Sequence, residues 1–396
     1  MIQSMTEMPA IVLAAGEGIR LRPLTKYRPK PMLPAVTSPI LEHVLDELID
    51  AGFTDITLVV GHRRTRIQSY FGSQYRDIPL TYRTQDAQLG TGHALLAADP
   101  PRDSPFLVVY GDQIVDNALI SEVIETHEEC QATLGVIPGM SVADYGGAIV
   151  KEGRVIDLVD RPSDDREYFL NAGVYVFEPT ILEYVEKGEI RQGDLSMIDG
   201  IARLLAEREP VGAAVSDTFW ADATYPWDLL EIAERLLDRE DGENRYQRID
   251  GTATIHESAT IREPVAVAAD CEIGPGSVVG PYAALGENVT VGPNAVIERS
   301  VLDVDSRVGP NATVIDTVTG IGTRIGAGST IPGGPGDVQV DDAIFQDERL
   351  GAVLADRVED RGGASYVPGT VVGPDSSIDV GAVVRGAIDE ETTLGS

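Results

Sequence analysis

Apolar residues follow two spacings in the first 240 residues of the chain. Short aliphatic runs at residues 11–13, 56–60 and 106–110 predict buried strands. Residues 39–52 place apolar side chains at helical intervals, with Pro39 suited to the first helical turn and Gly52 suited to the helix end. Strands separated by helix-length segments predict a largely parallel α/β sheet, in which ligands collect beyond the carboxyl ends of the strands.

The spacing changes after about residue 246. From Ile255 to Ile297 every sixth residue is aliphatic, and the residue four places after each is small or β-branched. A three-sided parallel β-helix has this period, because each side turns one aliphatic residue inward. The repeat breaks between Pro332 and Ala352, which predicts a loop that leaves the β-helix. The change of period predicts two domains, residues 1–248 and 249–396.

The composition narrows the possible partners. The formal net charge is 31 − 64 = −33, and only four residues are lysines. Such acidity disfavours nucleic acid and anionic membranes as partners, and it is typical of adaptation to high salt. The two cysteines are too few for a disulfide framework or a metal cage. The amino-terminal segment has no signal-peptide pattern and no apolar run is long enough to span a bilayer, so we expect a soluble cytoplasmic protein.

The glycine turn after the first strand is the most informative segment. Residues 13–18 read Leu-Ala-Ala-Gly-Glu-Gly, and glycines that close a strand can turn their backbone N–H groups toward an anion. Arg20 and Lys30 add positive charge, and Lys30 lies between two prolines. This pattern favours a phosphate-binding loop over a surface loop with incidental charges.

This loop, the Tyr-Gly-Asp sequence at 110–112, the Trp-Ala-Asp sequence at 220–222 and the six-residue repeat together resemble the sugar-1-phosphate nucleotidylyltransferases. The closest likeness is to the bifunctional N-acetylglucosamine-1-phosphate uridylyltransferase/glucosamine-1-phosphate acetyltransferases and their archaeal relatives. The resemblance spans essentially the whole chain. It implies a Rossmann-like nucleotidyltransferase domain followed by a left-handed parallel β-helix of hexapeptide repeats, assembled as a homotrimer through the β-helix.

The resemblance also implies substrates and site residues. The reaction would join UTP or dTTP to a sugar-1-phosphate with Mg²⁺ and release pyrophosphate. Arg20 and Lys30 would contact the phosphates as the catalytic pair, and Asp112 and Asp222 would hold the metal. The residues implied to bind the nucleotide are Leu13, Ala14, Ala15, Gly16, Gly18, Gln85, Gly90, Thr91 and Gly111. The residues implied to bind the sugar phosphate are Gly146, Asp160, Arg161, Asn171 and Gly173.

Several departures leave the sugar open. Asp160-Arg161 stands where many relatives have Glu-Lys, Asp194 and Ser196 stand where relatives often have glutamates, and Thr224 replaces a glycine. UTP with N-acetylglucosamine-1-phosphate is the first expectation. Glucose-1-phosphate with UTP or dTTP is the alternative, and a non-catalytic protein that binds nucleotide sugars is a third.

The acetyltransferase activity of the bifunctional relatives is not expected here. Alignment places Pro310 where they carry the histidine that acts as general base, and Gly280 where they carry an arginine. Proline cannot accept a proton, and the only histidine in the repeats, His256, lies in the first coil. We therefore expect the β-helix to drive assembly, while a bifunctional enzyme with a different base stays as an alternative.

Overall fold

The computed structural model describes residues 8–139, 142, 145–160, 162, 164–188, 193–239, 246–340 and 343–395. Packing divides these residues into two compact units. The first contains the described residues of Met1–Glu17, Pro29–Met32 and Ile40–Asp222, and the second contains those of Gly18–Arg28, Leu33–Pro39 and Ala223–Ser396. The sequence predicts a single boundary at residue 248, from the change of period. Each compact unit instead contains several separate stretches of the chain.

The helices are short. They are α1 (Ile40–Asp50), α2 (Arg64–Phe71), α3 (Gly90–Ala97), α4 (Asn117–Thr126), α5 (Ile181–Glu186), α6 (Met197–Ala206) and α7 (Asp228–Leu237). The first of these follows Pro39, as the helical spacing there predicts, and buries its leucines and valine. None of the helices in the described residues combines the length and apolarity needed to cross a bilayer.

The first unit is built on a ten-stranded mixed sheet. The strands up to residue 222 are β1 (Ala10–Ala14), β2 (Pro34–Ala35), β3 (Ser38–Pro39), β4 (Ile56–Val60), β5 (Gln74–Tyr75), β6 (Ile78–Thr84), β7 (Phe106–Tyr110), β8 (Gln113–Val115), β9 (Ala132–Ile137), β10 (Gly146–Lys151), β11 (Arg154–Asp160), β12 (Phe169–Phe177), β13 (Val211–Val215) and β14 (Trp220–Asp222). The large sheet has the order β10-β11-β13-β9-β12-β7-β1-β4-β6-β5.

The strands predicted from the aliphatic runs lie side by side at the centre of this sheet. β1 pairs in parallel with β4 on one side and β7 on the other, and β4 pairs in parallel with β6. β1, β4 and β7 are almost wholly buried, which explains their continuous apolar runs. The sheet is antiparallel where β12 pairs with both β7 and β9. β9 and β13 pair in parallel again. The sheet is therefore mixed, and the predicted parallel arrangement is confirmed for β7, β1, β4 and β6 and for the β9–β13 pair.

The second unit contains the predicted β-helix. Its strands are β15 (Thr254–Ile255), β16 (Thr260–Ile261), β17 (Val265–Val267), β18 (Glu272–Ile273), β19 (Val278–Val279), β20 (Ala283–Leu285), β21 (Thr290–Val291), β22 (Val296–Glu298), β23 (Ser300–Leu302), β24 (Arg307–Val308), β25 (Thr313–Ile315), β26 (Thr317–Thr319), β27 (Arg324–Ile325), β28 (Thr330–Pro332), β29 (Gly336–Val340), β30 (Ala343–Glu348), β31 (Ala352–Leu354), β32 (Glu359–Asp360), β33 (Ser365–Tyr366), β34 (Thr370–Val372), β35 (Ser377–Ile378), β36 (Val383–Val384), β37 (Ala387–Ile388) and β38 (Thr393–Leu394).

The register of these strands explains the six-residue repeat. Three parallel sheets run along the β-helix, and each coil places one strand in each sheet. Ile255 pairs with Ile273, and Ile273 pairs with Val291, so every third repeat position stacks on the one before it. The aliphatic side chains form one continuous core. The predicted break contains an antiparallel hairpin of β29 and β30.

Residues 18–28 and α7 pack on the β-helix in the second unit. Arg28 is buried and forms ion pairs with Asp303 and Asp356, the latter at 3.4 Å. Burial alone would lower the pKa of Arg28, but the two carboxylates raise it above the ordinary value. From α7, Glu234 accepts a 2.7 Å hydrogen bond from Arg299 Nε. The amino-terminal segment is thus held by buried charge pairs.

Replacing Arg28 with alanine is expected to lower the free energy of unfolding by about 3–5 kcal/mol, because two buried carboxylates would lose their counterion. Lys26→Ala is the matched control, since the Lys26–Glu390 pair is about 40% exposed and its loss should cost less than about 1 kcal/mol. Urea denaturation of both variants measures the difference. Equal stability of the two variants would contradict the role of the buried pair.

Candidate active site

A cavity of about 450 Å³ opens where β1 and β7 end in the first unit. The chain turns there at Ala15 and Gly16 after β1, and at Gly111 and Asp112 after β7. The N–H of Gly111 donates a 2.9 Å hydrogen bond to Leu13 O, which keeps the two turns together. The residues that line the cavity are Leu13, Ala15, Gly16, Gln85, Gln88, Gly90, Thr91, Ala94, Tyr110, Asp112, Gly193 and Asp194.

Seven of the residues implied by the resemblance therefore share one cavity. They are Leu13, Ala15, Gly16, Gln85, Gly90, Thr91 and Asp112. Ala14 and Gly111 do not line it, although both belong to the adjoining turns. The cavity lies beyond the carboxyl ends of parallel strands, where the topology of such sheets places ligands.

One wall of the cavity is the start of α3. Gln85 Nε2 donates a 2.9 Å hydrogen bond to Gly90 O and lies 3.1 Å from His93 Nδ1, so the amide is held in place. Gly90 has φ +88°, and a Cβ there would lie 1.4 Å from Asp194 Oδ1. Only glycine permits this approach of Asp194 to the wall.

Asp194 is one of the departures from the relatives, and its environment is distinctive. Burial raises the pKa of its carboxyl above the ordinary value, and the nearby charges of Asp160 and Asp199 raise it further. Asp160 itself is exposed at the end of β11. The structure thus brings Asp194 and Asp160 into electrostatic contact, although they are far apart in sequence.

Lys30 carries the central charge of the site. Its Nζ lies 3.1 Å from Asp112 Oδ2 and donates a hydrogen bond to Asp222 Oδ1. Burial is the largest effect on this ammonium and would lower its pKa, but Asp112 and then Asp222 raise the pKa above the ordinary value. Lys30 therefore stays protonated throughout the physiological pH range. The three residues lie far apart in sequence and meet only in the fold.

Pairing of β14 with β8 positions Asp222. Asp222 lies opposite Gln113, the residue that follows Asp112, so the two aspartates are neighbours across this ladder. Trp220 anchors β14, because its Nε1 donates a 3.1 Å hydrogen bond to Ala172 O and its ring packs edge-to-face on Tyr145. In the Trp-Ala-Asp sequence, the tryptophan thus holds the strand in place and the aspartate supplies the carboxylate.

The backbone after Asp222 tolerates the threonine that replaces a glycine. Thr224 N donates a 2.7 Å hydrogen bond to Asp228 Oδ2, and Tyr225 N donates to the same oxygen at 2.7 Å. This arrangement satisfies two backbone donors near the start of α7. Thr224 is buried and its φ does not lie in the left-handed region, so the position does not demand glycine.

The residues implied to bind the sugar phosphate gather on β10, β11 and β12. Gly146 pairs with Asp160 across β10 and β11. A Cβ on Gly146 would lie 3.4 Å from Asn171 Nδ2, so Asn171 on β12 adjoins the same place. Gly173 follows on β12 with φ +72°. Arg161, the remaining member of this set, lies outside the described residues.

A chain of polar side chains connects this group to the cavity. Asn171 Nδ2 donates a 2.7 Å hydrogen bond to the Tyr175 hydroxyl, which in turn lies 3.5 Å from the Tyr110 hydroxyl. Burial raises the pKa of Tyr110 to about 12, so its hydroxyl remains a neutral donor. Because Tyr110 lines the cavity, these contacts connect Asn171 to the cavity wall.

Gln113 is a polar residue of this region that the sequence analysis misses. Its side chain is only 8% exposed, and its Oε1 has no hydrogen-bond partner among the described residues. A Cβ on Gly173 would lie 2.2 Å from this oxygen, so the acceptor faces the glycine of β12. Its place directly after Asp112 was the available signal, but only the structure shows that its oxygen is unsatisfied.

Arg20 and Gly18 belong to the second compact unit. Gly18 has φ 68° and precedes a single turn of 3₁₀ helix at Ile19–Leu21, and its carbonyl accepts a 2.8 Å hydrogen bond from Thr25 Oγ1. The Arg20 guanidinium lies over the Tyr225 ring, 5.8 Å from its centroid. The proposed phosphate arginine is therefore in contact with an aromatic residue of its own unit.

Comparison with known proteins identifies the family. Residues 9–239 match the family model described as Nucleotidyl transferase, and residues 261–388 match the model described as GMPPB C-terminal domain. The first match covers more than half of the chain, so the chain belongs to the nucleotidyl transferase family. The resemblance found in the sequence is confirmed at this level.

Two curated relatives are informative. A bifunctional protein GlmU of Methanocaldococcus jannaschii is 33% identical over 234 residues, which cover 59% of this chain and 55% of that protein. The chain thus spans about half the length of that relative. A UTP–glucose-1-phosphate uridylyltransferase AglF of Haloferax volcanii is 31% identical over 58% of this chain and 96% of that protein.

A solved structure shows the same fold. A putative glucose-1-phosphate thymidylyltransferase from Bacillus anthracis, in complex with a sucrose, has a TM-score of 0.53 and 24% sequence identity. The match covers 60% of this chain and 98% of that one. At this identity the likeness concerns the fold alone.

Gly90→Ala is expected to weaken the binding of a nucleoside triphosphate at least about tenfold. The new Cβ would collide with Asp194 Oδ1 and with Leu195 O, 2.8 Å away, in a left-handed backbone. Gly153→Ala is the matched control, because Gly153 also has positive φ (+73°) but no atom within 4 Å of the added Cβ. Titration calorimetry measures binding. Affinities within twofold of each other would show that close approach at Gly90 does not shape the cavity.

Proposed function

We propose that the chain is a Mg²⁺-dependent sugar-1-phosphate nucleotidylyltransferase, with UTP and N-acetylglucosamine-1-phosphate as its first substrate pair. The observation that carries this proposal is the Lys30 ammonium held between Asp112 and Asp222, with Asp112 on the wall of the cavity. A fixed cation can bind a phosphate, and two carboxylates near a glycine turn can hold a metal ion that binds the same phosphates. The products would be UDP-N-acetylglucosamine and pyrophosphate.

The reaction needs no covalent enzyme intermediate. A phosphate oxygen of the sugar-1-phosphate attacks the α-phosphorus of the nucleotide in line, a new P–O bond forms, and the bond to pyrophosphate breaks. The chain's contribution is to position both substrates and to stabilise the developing negative charge. Lys30 would supply its ammonium to the α-phosphate. Backbone N–H groups of the turn at Gly16 bind the other phosphates.

Asp112 and Asp222 are the residues that would hold Mg²⁺. Both carboxylates reach a single nitrogen, Lys30 Nζ, so they are close enough to share one cation, and carboxylate oxygens are ligands that Mg²⁺ prefers. No cluster of three or more metal-ligating side chains exists in the described residues. Water and substrate phosphates would complete the ligand set. When bound, the ion neutralises phosphate charge.

Different residues are proposed to recognise the base and the sugar. Gln85 lies on the cavity wall, and its Nε2 is held by Gly90 O and His93 Nδ1, so its Oε1 is the group that would accept a hydrogen bond from the imide N–H of uracil or thymine. Gly146, Asn171 and Gly173 would bind the sugar. Glucose-1-phosphate is the second candidate substrate, favoured by the match that covers 96% of the uridylyltransferase AglF.

The β-helix is proposed to serve assembly as a homotrimer and to lack acetyltransferase activity. Pro310 lies in a turn between β24 and β25, and it offers only its carbonyl oxygen, which accepts a 2.9 Å hydrogen bond from Gly328 N. No proton acceptor with the chemistry of histidine stands at this position. A net charge of −33 supports function at high salt.

The decisive experiment measures pyrophosphate release with Mg²⁺ in molar KCl. UTP, dTTP, GTP, ATP and CTP are each combined with N-acetylglucosamine-, glucose-, glucosamine- and mannose-1-phosphate. Preference for UTP and N-acetylglucosamine-1-phosphate supports the proposal, and preference for glucose-1-phosphate supports the second candidate. No release from folded protein would favour a non-catalytic nucleotide-sugar-binding protein. Acetyl transfer from acetyl-CoA to glucosamine-1-phosphate would overturn the role given to the β-helix.

Lys30→Ala and Asp112→Ala are each expected to lower kcat more than about tenfold, which corresponds to at least about 1.4 kcal/mol of transition-state stabilisation. The first removes the buried ammonium and the second removes a carboxylate from the cavity wall. Lys187→Ala is the control, because Lys187 is exposed and its ammonium contacts only the surface residues Glu183 and Tyr184 among the contacts described. Steady-state pyrophosphate release measures all three. Wild-type turnover by either site variant would refute the assignment.

Gln113→Leu is expected to raise the KM for the sugar-1-phosphate about three- to tenfold and to leave the KM for UTP unchanged. The reason is that its buried, unsatisfied oxygen would accept a hydrogen bond from a sugar hydroxyl. Thermal stability should not fall, since the substitution removes an unpaired polar atom. Gln74→Leu, on an exposed strand, is the control. A lower melting temperature with unchanged KM would indicate a structural role instead.

A further inference from the structure

Three aromatic rings pack together in the second unit. Tyr225 and Trp227 stack with their ring planes 6° apart and their centroids 4.8 Å apart. Phe345 lies against both, with its centroid 4.5 Å from that of Tyr225 and 5.2 Å from that of Trp227. Such tilted and stacked pairs stabilise the relative orientation of the rings beyond simple apolar burial. We call Tyr225, Trp227 and Phe345 the aromatic cluster.

The members of the aromatic cluster come from two distant parts of the sequence. Tyr225 and Trp227 follow closely after Asp222, the carboxylate that pairs with Lys30. Phe345 comes from β30, in the hairpin that interrupts the β-helix repeat. The hairpin is not required to continue the coils, because β28 pairs directly with β33 on either side of the insertion.

The hairpin is mostly exposed, with Val338 and Val340 buried and Phe345 partly buried. Ile344, the residue before it, is 66% exposed. Phe345 pairs in register with Val338 of β29, which is fully buried. The hairpin therefore rests on a buried side chain and presents one ring to Tyr225 and Trp227. The contact of Phe345 with these two rings is the feature of the hairpin that calls for an explanation.

Tyr225 connects the aromatic cluster to Arg20. The Arg20 guanidinium lies over the face of the Tyr225 ring, 5.8 Å from the centroid, which is within the range of a cation–π contact. The segment that carries Arg20 is fixed at its other end as well, because Arg28 pairs with Asp303 and Asp356 and Tyr27 donates a 3.0 Å hydrogen bond to Asp375. The position of Arg20 thus depends on β-helix side chains at both ends.

We propose that Phe345, acting through Tyr225, positions Arg20 for the nucleotide triphosphate. This inference rests on the proposed function and on the resemblance to the nucleotidylyltransferases, which implies that Arg20 contacts the nucleotide phosphates. Phe345 packs against the Tyr225 ring, and the face of that ring restricts the Arg20 guanidinium. The arginine is therefore ordered before the nucleotide binds. Binding is stronger when the ordering of a side chain is completed in the free protein. Phe345 is a positioning residue, and the inserted hairpin serves nucleotide binding.

The test compares Phe345→Ala, Phe345→Leu and Phe345→Trp with the control Ile344→Ala. Phe345→Ala is expected to weaken UTP binding and to raise the KM for UTP about three- to tenfold, with the KM for the sugar-1-phosphate unchanged. Phe345→Trp should restore binding because it keeps a ring against Tyr225, and Ile344→Ala should behave as wild type. Circular dichroism and Trp227 fluorescence report folding and the local packing.

Phe345→Leu distinguishes positioning from simple packing. Leucine keeps an apolar side chain in the aromatic cluster but has no ring. A purely structural role predicts that Phe345→Leu binds UTP like the wild type and that Phe345→Ala lowers the melting temperature and affects both substrates. That result would overturn the proposal. If Phe345→Ala does not fold, Phe345→Leu and Phe345→Trp provide the same comparison.

A double-mutant cycle with Arg20→Ala tests the connection between the two residues. If Phe345 acts through Arg20, Phe345→Ala has no further effect on UTP affinity once Arg20 is alanine. Additive losses, or wild-type affinity of the single Phe345→Ala variant, would overturn the proposal. The cycle is measured by calorimetry with UTP and Mg²⁺, so it does not need turnover.

The two proposals fail in different ways. Wild-type protein that binds UTP without releasing pyrophosphate overturns the proposed reaction, and the binding cycle still decides the role of Phe345. Turnover by the wild type with an additive cycle overturns only the positioning role. Wild-type protein that neither binds UTP nor turns over any pair overturns both.

Discussion

The buried ammonium of Lys30 is the constraint on which the site depends. An unpaired charge in this position would be costly, and the two carboxylates that compensate it come from the ends of different strands. Asp112 arrives after β7, and Asp222 arrives through the pairing of β14 with β8. The charges therefore meet through two different sheets, the large sheet that contains β7 and the two-stranded sheet of β8 and β14. The same arrangement leaves two carboxylates close enough to share one cation.

The acidic composition of the chain supplies carboxylate partners for its buried cations. Acidic residues outnumber basic ones by 64 to 31, so a buried cation readily finds carboxylate partners in the fold. Lys30 and Arg28 each have two such partners, and in both cases the carboxylates outweigh the effect of burial on the pKa. These two cations secure the proposed catalytic group in the first unit and the amino-terminal segment in the second.

The segment that follows the glycine turn packs on the β-helix. Residues 18–28 follow directly on a turn of the first unit, yet they pack within the second. Buried charge pairs and the aromatic cluster hold them there, so the environment of Arg20 is set by residues more than 200 positions away. Under the proposed function, these contacts would order Arg20 before the nucleotide binds.

The sequence by itself determined the family, the repeat and the local strands, because periods of two, six and about 3.6 are set by backbone geometry and are visible over a few residues. It also determined which side chains follow β1 and β7. Tertiary structure decided the antiparallel half of the sheet, the hairpin at residues 336–348, the unsatisfied oxygen of Gln113 and the contact of Arg20 with Tyr225. These features depend on pairing between distant segments, and no local pattern records which partners will meet.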